Sequence, residues 1–297
     1  QPRLFRKGIP GPPVFEAQEI TLGFRILGAE GSQRIKRVVV KSGKLRADPA
    51  RPVATVEPDR PSQLPSLMTR LELENCDLRG LWVPDFSCDL TTGAFSLMVH
   101  HVSATVGKGR GSGPLKGDLS CNVETGRFTG RPVSDFAPNE LVRFLAGRDM
   151  DGVVGLIRSF SFPGRSPHID TRFTGVAGTN LALEVNGRAR GKSFRRYDVP
   201  VTEAESQVRV ILDGDKRVVS LRPLIARQGE SNTELTLDVD MANGTVSFSG
   251  SSTADPRGVL QAADPSLANA MDGYCIEGHT KYTVRGVVNL GNPDLST

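Results

Sequence analysis

The chain has 297 residues, enough for one large domain or two ordinary ones. Gly (32) and Pro (20) exceed their usual shares and aromatics are few (13 Phe, 3 Tyr, 1 Trp), which argues against a helical bundle and for many turns; 38% hydrophobic content excludes a wholly disordered chain. Lys and Arg outnumber Asp and Glu by only four (37 against 33) and the signs interleave, so the basic stripe and stacking aromatics of a nucleic-acid binder are missing and no nucleic-acid partner is expected.

The first 15 residues form an extended Pro/Gly entry. A strand pair is predicted at 20–27 and 35–47, with Ile20, Leu22, Phe24 and Ile26 on one face. A Pro-rich link over 48–65 reads as a loop leaving the sheet edge. Alternation of apolar and polar residues then recurs: Leu71 and Leu73; Phe95, Leu97 and Val99; Val102, Ala104 and Val106; Leu119, Cys121 and Val123. It continues through Leu181, Leu183 and Val185; Val208, Val210 and Leu212; Leu235, Leu237, Val239 and Met241; Val246 and Phe248. Period two over such lengths predicts antiparallel strands with one oily face and one wet face. Turns are predicted at Ser42-Gly43, Thr92-Gly93, Thr125-Gly126, Asn186-Gly187, Asp213-Gly214 and Asn243-Gly244, where glycine accepts the positive φ of tight hairpins.

Two stretches break the β rhythm. Over 137–158, Leu141, Phe144 and Leu145 have helical spacing and Pro138 suits a first turn; over 255–271, Asp-Pro pairs open two short helices. Both breaks belong to an internal repeat of strand, Gly turn, strand, acidic residue, Pro and short helix. Its turn glycines are Gly126 and Gly244, 118 apart, and its acidic residues Asp135 and Asp255, 120 apart. The predicted divisions are an N-terminal strand pair with its link (1–64), a first strand-helix repeat (65–166) and a second (167–297), within one continuous sheet. The fold class is mainly β: a long, curved antiparallel meander sheet, groove-like, with short helical inserts.

No chemical motif survives its context. Gly187-Arg-Ala-Arg-Gly-Lys-Ser193 has three residues between its glycines where a P-loop needs four, and no helix follows; it reads as a hairpin turn with solvated cations. Gly107–Gly113 lacks dinucleotide spacing and reads as a loop. His100 and His101 are adjacent on a strand, so they are expected on opposite faces and unable to share a metal; His168 and His279 have no neighbouring ligand motif. Asp213, Asp215, Asp238 and Asp240 read as solvated turn carboxylates, and Asn243-Gly244-Thr245 as a hairpin rather than a glycosylation site. Cys76, Cys88, Cys121 and Cys275 match no zinc or redox spacing; Cys76 and Cys88 either face each other across a hairpin or act as small apolar strand residues. No enzyme, cofactor or metal is expected.

The segment GPLKGDLSCNVETGRFTGRPVSDFAPNELVRFL, beginning at Gly113, resembles the AsmA-like, bridge-like lipid-transfer proteins of the bacterial envelope, the group that includes TamB and YhdP. The resemblance runs over about 65–290 in glycine-punctuated strands and "D-F-x-P-x-x-L" inserts, and the Pro-rich link departs from it. It implies a curved sheet whose apolar concave face conducts lipid acyl chains, periplasmic residence and support of outer-membrane biogenesis. It carries no catalytic residues. The chain reads as a fragment of a longer protein, with no run of about 18 apolar residues and no visible leader; the resemblance implies a membrane anchor at one end, expected outside these residues. The partner that the resemblance implies is phospholipid or another acyl-chain lipid. The expected lining is Leu97, Val99, Leu119, Val123, Leu181, Leu183, Val185, Val208, Val210, Leu212, Leu235, Leu237, Val239, Val246 and Phe248. The alternative is a structural or adhesive β-sandwich with no ligand, in which the oily faces pack on each other. A carbohydrate-active enzyme is disfavoured by the scarcity of Trp and Tyr.

Overall fold

Strands with one oily and one wet row pair so that like rows meet across the ladder. The computed structural model describes residues 1–4, 13–24, 35–46, 64, 66–146, 151–177, 182–263, 265–269 and 281–289. It is mainly β with few short helices, in two compact units, Gln1–Asp151 and Gly152–Thr297.

The first unit contains β1 (Arg3–Leu4), β2 (Phe15–Glu16), β3 (Glu19–Phe24), β4 (Ile35–Lys41), β5 (Lys44–Leu45), β6 (Leu67–Leu78), β7 (Leu81–Thr92), β8 (Ser96–Val106), β9 (Gly113–Asn122) and β10 (Arg127–Ser134). Antiparallel pairing joins β3 to β4 and runs from β6 through β10. The expected antiparallel order fails at one place: β4 and β5 both lie parallel to β6. Parallel neighbours need a long crossover, and the Pro-rich stretch between Leu45 and Leu67 supplies its length. Residues before 64 therefore share a sheet with those after it. Ser42-Gly43 is no hairpin either. Ser42 takes φ 49°, and the chain on both sides of it stays on β6. After β10 come a 3-10 turn at Pro138–Leu141 and α1 (Val142–Leu145). Leu141 packs on Ala104, Val106 and Phe136, closing one end of the sheet.

At the division, α2 (Asp151–Arg158) leads into the second unit. There follow β11 (Phe160–Ser161), β12 (His168–Val176), β13 (Ala182–Arg196), β14 (Val199–Asp213), β15 (Lys216–Gln228), β16 (Ser231–Asp240), β17 (Thr245–Ser252), α3 (Pro256–Ala263), α4 (Pro265–Ala268) and β18 (Tyr282–Asn289). From β12 to β18 every strand is antiparallel to the next, and β11 also pairs with β13. Asn186-Gly187 is not a turn but the middle of β13. A Cβ on Gly187 would stand 2.3 Å from the Asp170 carbonyl oxygen, so this glycine answers a close strand approach. The Gly187–Ser193 segment is continuous strand, which removes both the P-loop and the hairpin reading of it.

The internal repeat is stricter in three dimensions than in sequence. A single offset of 118 relates β9 to β16 and β10 to β17 at both ends (113 to 231, 122 to 240; 127 to 245, 134 to 252), and Pro138 to Pro256. The Asn122 side chain accepts the N–H groups of Glu124 and Thr125, and Asp240 accepts those of Ala242 and Asn243, each 118 further on. The left-handed residues Asn75 (φ 54°) and Ser193 (φ 52°) obey the same offset. So do the buried Phe136 and Ala254 at the helix entries. On this alignment Asp135 answers Thr253, not Asp255. Asp255 instead caps α3, accepting from Arg257 and Gly258 N–H.

Cys76 and Cys88 are both on the β6–β7 hairpin but not opposite one another: Cys76 pairs with Val83 and Cys88 with Leu71. Both are 1% exposed free thiols, and burial pushes their pKa values up, which suits packing rather than reactivity. Cys275 and His279 lie outside the described residues.

Candidate functional site: an apolar sheet face

Register in the second unit assembles the alternating residues into rows across the sheet. One row runs Phe173, Val185, Val210, Val219, Val239, Val246 and Val288. The next runs Gly187, Val208, Leu221, Leu237, Phe248 and Gly286, and a third Ala189, Ser206, Leu224, Leu235, Gly250 and Val284. Leu183 and Leu212 pair beyond the first row. The structure thus brings together all the expected lining residues of this unit except Leu181, which lies outside the described residues. In the first unit Leu97 pairs with Thr92 and Cys121, and Val99 with Leu90 and Leu119. Val123 stands just past the end of β9 and is 41% exposed.

Burial is graded along these strands. At the end carrying α3, Phe194, Val199, Ser252 and Ala254 are buried, and the Thr233 and Ser252 hydroxyls bond at 2.7 Å. The rows named above are half-buried: none of their Val, Leu or Phe side chains reaches full burial. Among the described residues, α3 against β14 is the main helix-to-sheet contact in this unit.

The opposite face carries a series of cross-strand ion pairs. Arg188 and Arg190 reach Glu205 at 2.6 and 3.0 Å, Lys192 reaches Glu203 at 3.1 Å, and Arg209 reaches Glu184 at 2.8 Å. Arg222 forks onto Asp238. In the first unit Arg37 and Arg70 share Glu72, and Arg70 also meets Asp89. The Arg222 guanidinium holds the Asp238 carboxyl below its ordinary range, and Arg37 does the same for Glu72. A carboxylate whose folded pKa is depressed adds stability above its unfolded pKa and loses it as pH falls through the folded value. Acid is therefore expected to lower the urea midpoint. Asp238→Asn and Glu72→Gln should sit below the parent at neutral pH and converge with it on acidification. A constant gap across the titration would refute the assignment.

The His100-His101 expectation is corrected. Pairing jumps between Val99 and Val102, and His101 takes φ 52°, so a bulge turns both rings to the polar face. His101 Nδ1 lies 2.9 Å from Asp89 and His100 Nδ1 3.6 Å from Asp118, with ring centroids 6.4 Å apart. Among the described residues no group of three His, Cys, Asp or Glu side chains is placed to hold a metal. The corresponding bulge in the second unit is Arg222-Pro223, which keeps Leu221 and Leu224 on one face despite their odd spacing.

Sequence reading missed Phe173, Val219, Leu221, Leu224, Val284 and Val288, which complete the rows. The available signal was complementation: an apolar row on β14 or β16 demands partners on β15. Among the described residues no helix is long and apolar enough to cross a membrane. No family model matches the chain, nor does any curated protein or solved structure.

Proposed function

We propose that the apolar rows hold the hydrocarbon chains of lipid, phospholipid foremost, and that the protein is a non-enzymatic lipid carrier of the bacterial envelope. The observation that supports this reading is the half-buried state of a continuous aliphatic surface spanning β12 to β18, on a sheet whose other face carries the ion pairs. Such a surface gains about 0.8 kcal/mol for each methylene it removes from water. Val, Leu and Phe side chains offer no polar group to fix a chain in register, so a bound chain can slide along the rows. The likeness to AsmA-like proteins supplies the setting: periplasmic residence, an anchor outside these residues and a part in outer-membrane biogenesis.

Native mass spectrometry of the purified chain, followed by organic extraction, tests this. Phospholipid released in stoichiometric amount is the expected result. A lipid-free, fully folded protein that takes up no added phospholipid would leave the adhesive β-sandwich as the better reading.

A further inference from the structure

The tandem repeat allows the two units to be compared position by position. Charge reverses at Glu72/Arg190, Glu74/Lys192 and Lys116/Glu234, and also at Asp77/Arg195, where no cross-strand ion pair answers the new cation among the described residues. In the first unit Asp77 closes the β6–β7 turn by accepting the Gly80 N–H at 2.6 Å, opposite Lys44 on β5. At the offset of 118 the second unit has Arg195 for Asp77 and Asp198 for Gly80, with Ser161 opposite Arg195 on β11. Here an open cavity of about 350 Å³ is lined by Gly155, Arg158, Ser159, Ser161, Arg195 and Asp198, among others.

Cations elsewhere on β13 are answered from β14, Arg188 and Arg190 by Glu205 and Lys192 by Glu203. Arg196 lies over the Phe160 and Tyr197 rings. Arg158 and Arg195 have no ion pair of this kind among the described residues, so the lining of this cavity includes two arginines and a single acidic residue, Asp198. The turn itself is unusual. The hairpins at Gly214, Gly229 and Gly244 put glycine at positive φ, whereas here Tyr197 (φ 44°) and Asp198 (φ 67°) take that region with side chains retained.

We propose that this cavity is a phosphate-binding site, with Arg158 and Arg195 as the bidentate ligands and the Ser161 hydroxyl as an added donor. Guanidinium forks match the oxygens of a phosphate monoester or diester, and two of them leave a net positive charge after Asp198. Resting on the lipid reading, the source of that phosphate is a phospholipid headgroup.

Calorimetric titration of the full chain tests the site with dihexanoyl phosphatidic acid, uncharged dihexanoylglycerol and inorganic phosphate. The Arg158→Gln/Arg195→Gln variant should bind phosphatidic acid at least tenfold more weakly and dihexanoylglycerol unchanged. Arg195→Lys should keep part of the affinity and Arg227→Gln all of it, with circular dichroism matching the parent throughout. Unchanged phosphatidic acid affinity, or equal loss of both lipids, overturns the site. Parent protein that binds inorganic phosphate through these arginines but neither lipid upholds the anion site, assigns it to free phosphate, and refutes the acyl-chain reading instead.

Discussion

A Leu237→Asp variant is expected to lose co-purifying phospholipid while its far-ultraviolet dichroism and urea midpoint stay close to the parent. Leu237 sits in the middle row, between Leu221 on β15 and Phe248 on β17, so it is central to the surface by register. It is also half-buried rather than locked in a closed core. Withdrawing about three methylenes of lipid from the wall costs roughly 2 kcal/mol, about thirty-fold in affinity, before the carboxylate's own aversion to hydrocarbon is added. Val210→Asp, one row away and paired with Val185 and Val219, should act alike. Ile211→Asp is the control: Ile211 lies between Glu184 and Val218 on the opposite face, half-buried like Leu237 but outside the apolar rows. Lipid loss from all three would point to general damage. Unfolding of Leu237→Asp with no lipid detected in the parent would mean that the rows pack on protein.

Alternation made most of this architecture readable, because an exposed strand must carry polar residues on one side and oily ones on the other. It failed where geometry depends on a neighbour. The extra residues at His100-His101 and Arg222-Pro223 shift the parity of β8 and β15, so each strand reads as two short, mismatched patterns. That broken pattern is why Val219, Leu221 and Leu224 escaped notice although they sit at the centre of the rows. The parallel pairing of β4 with β6 has no local signature, since it depends on where a long connection returns. The repeat was visible through its turn glycines. Its true register needed the strand ends and the paired Asx turns at Asn122 and Asp240 to be seen together. The charge reversal at Arg195 is legible only once that register is fixed.

Glycine inside strands carries the opposite lesson, and Gly250→Ala is the sharpest test of it. Read in sequence, a strand glycine looks like punctuation or weakness. In β17, however, a Cβ on Gly250 would lie 2.0 Å from the Glu234 carbonyl oxygen and 2.7 Å from a Leu235 methyl. The methyl can rotate aside, but the carbonyl cannot retreat freely. The carbonyl belongs to β16, directly beside the Leu235–Gly250 pair, and Gly250 faces Val284 of β18 on its other side. One added methyl must therefore push β17 away from β16 and loosen pairing on both of its edges. The expected cost is about 2–3 kcal/mol, at the upper end for overpacking. It should appear as a lower urea midpoint with little change in slope. Gly164→Ala, where nothing lies within 4 Å of the added carbon, should stay within about 0.5 kcal/mol of the parent. Equal behaviour of the two variants would show that the strands in solution are further apart than described. The half-buried rows would then owe their exposure to a loose sheet rather than to a surface suited to hydrocarbon.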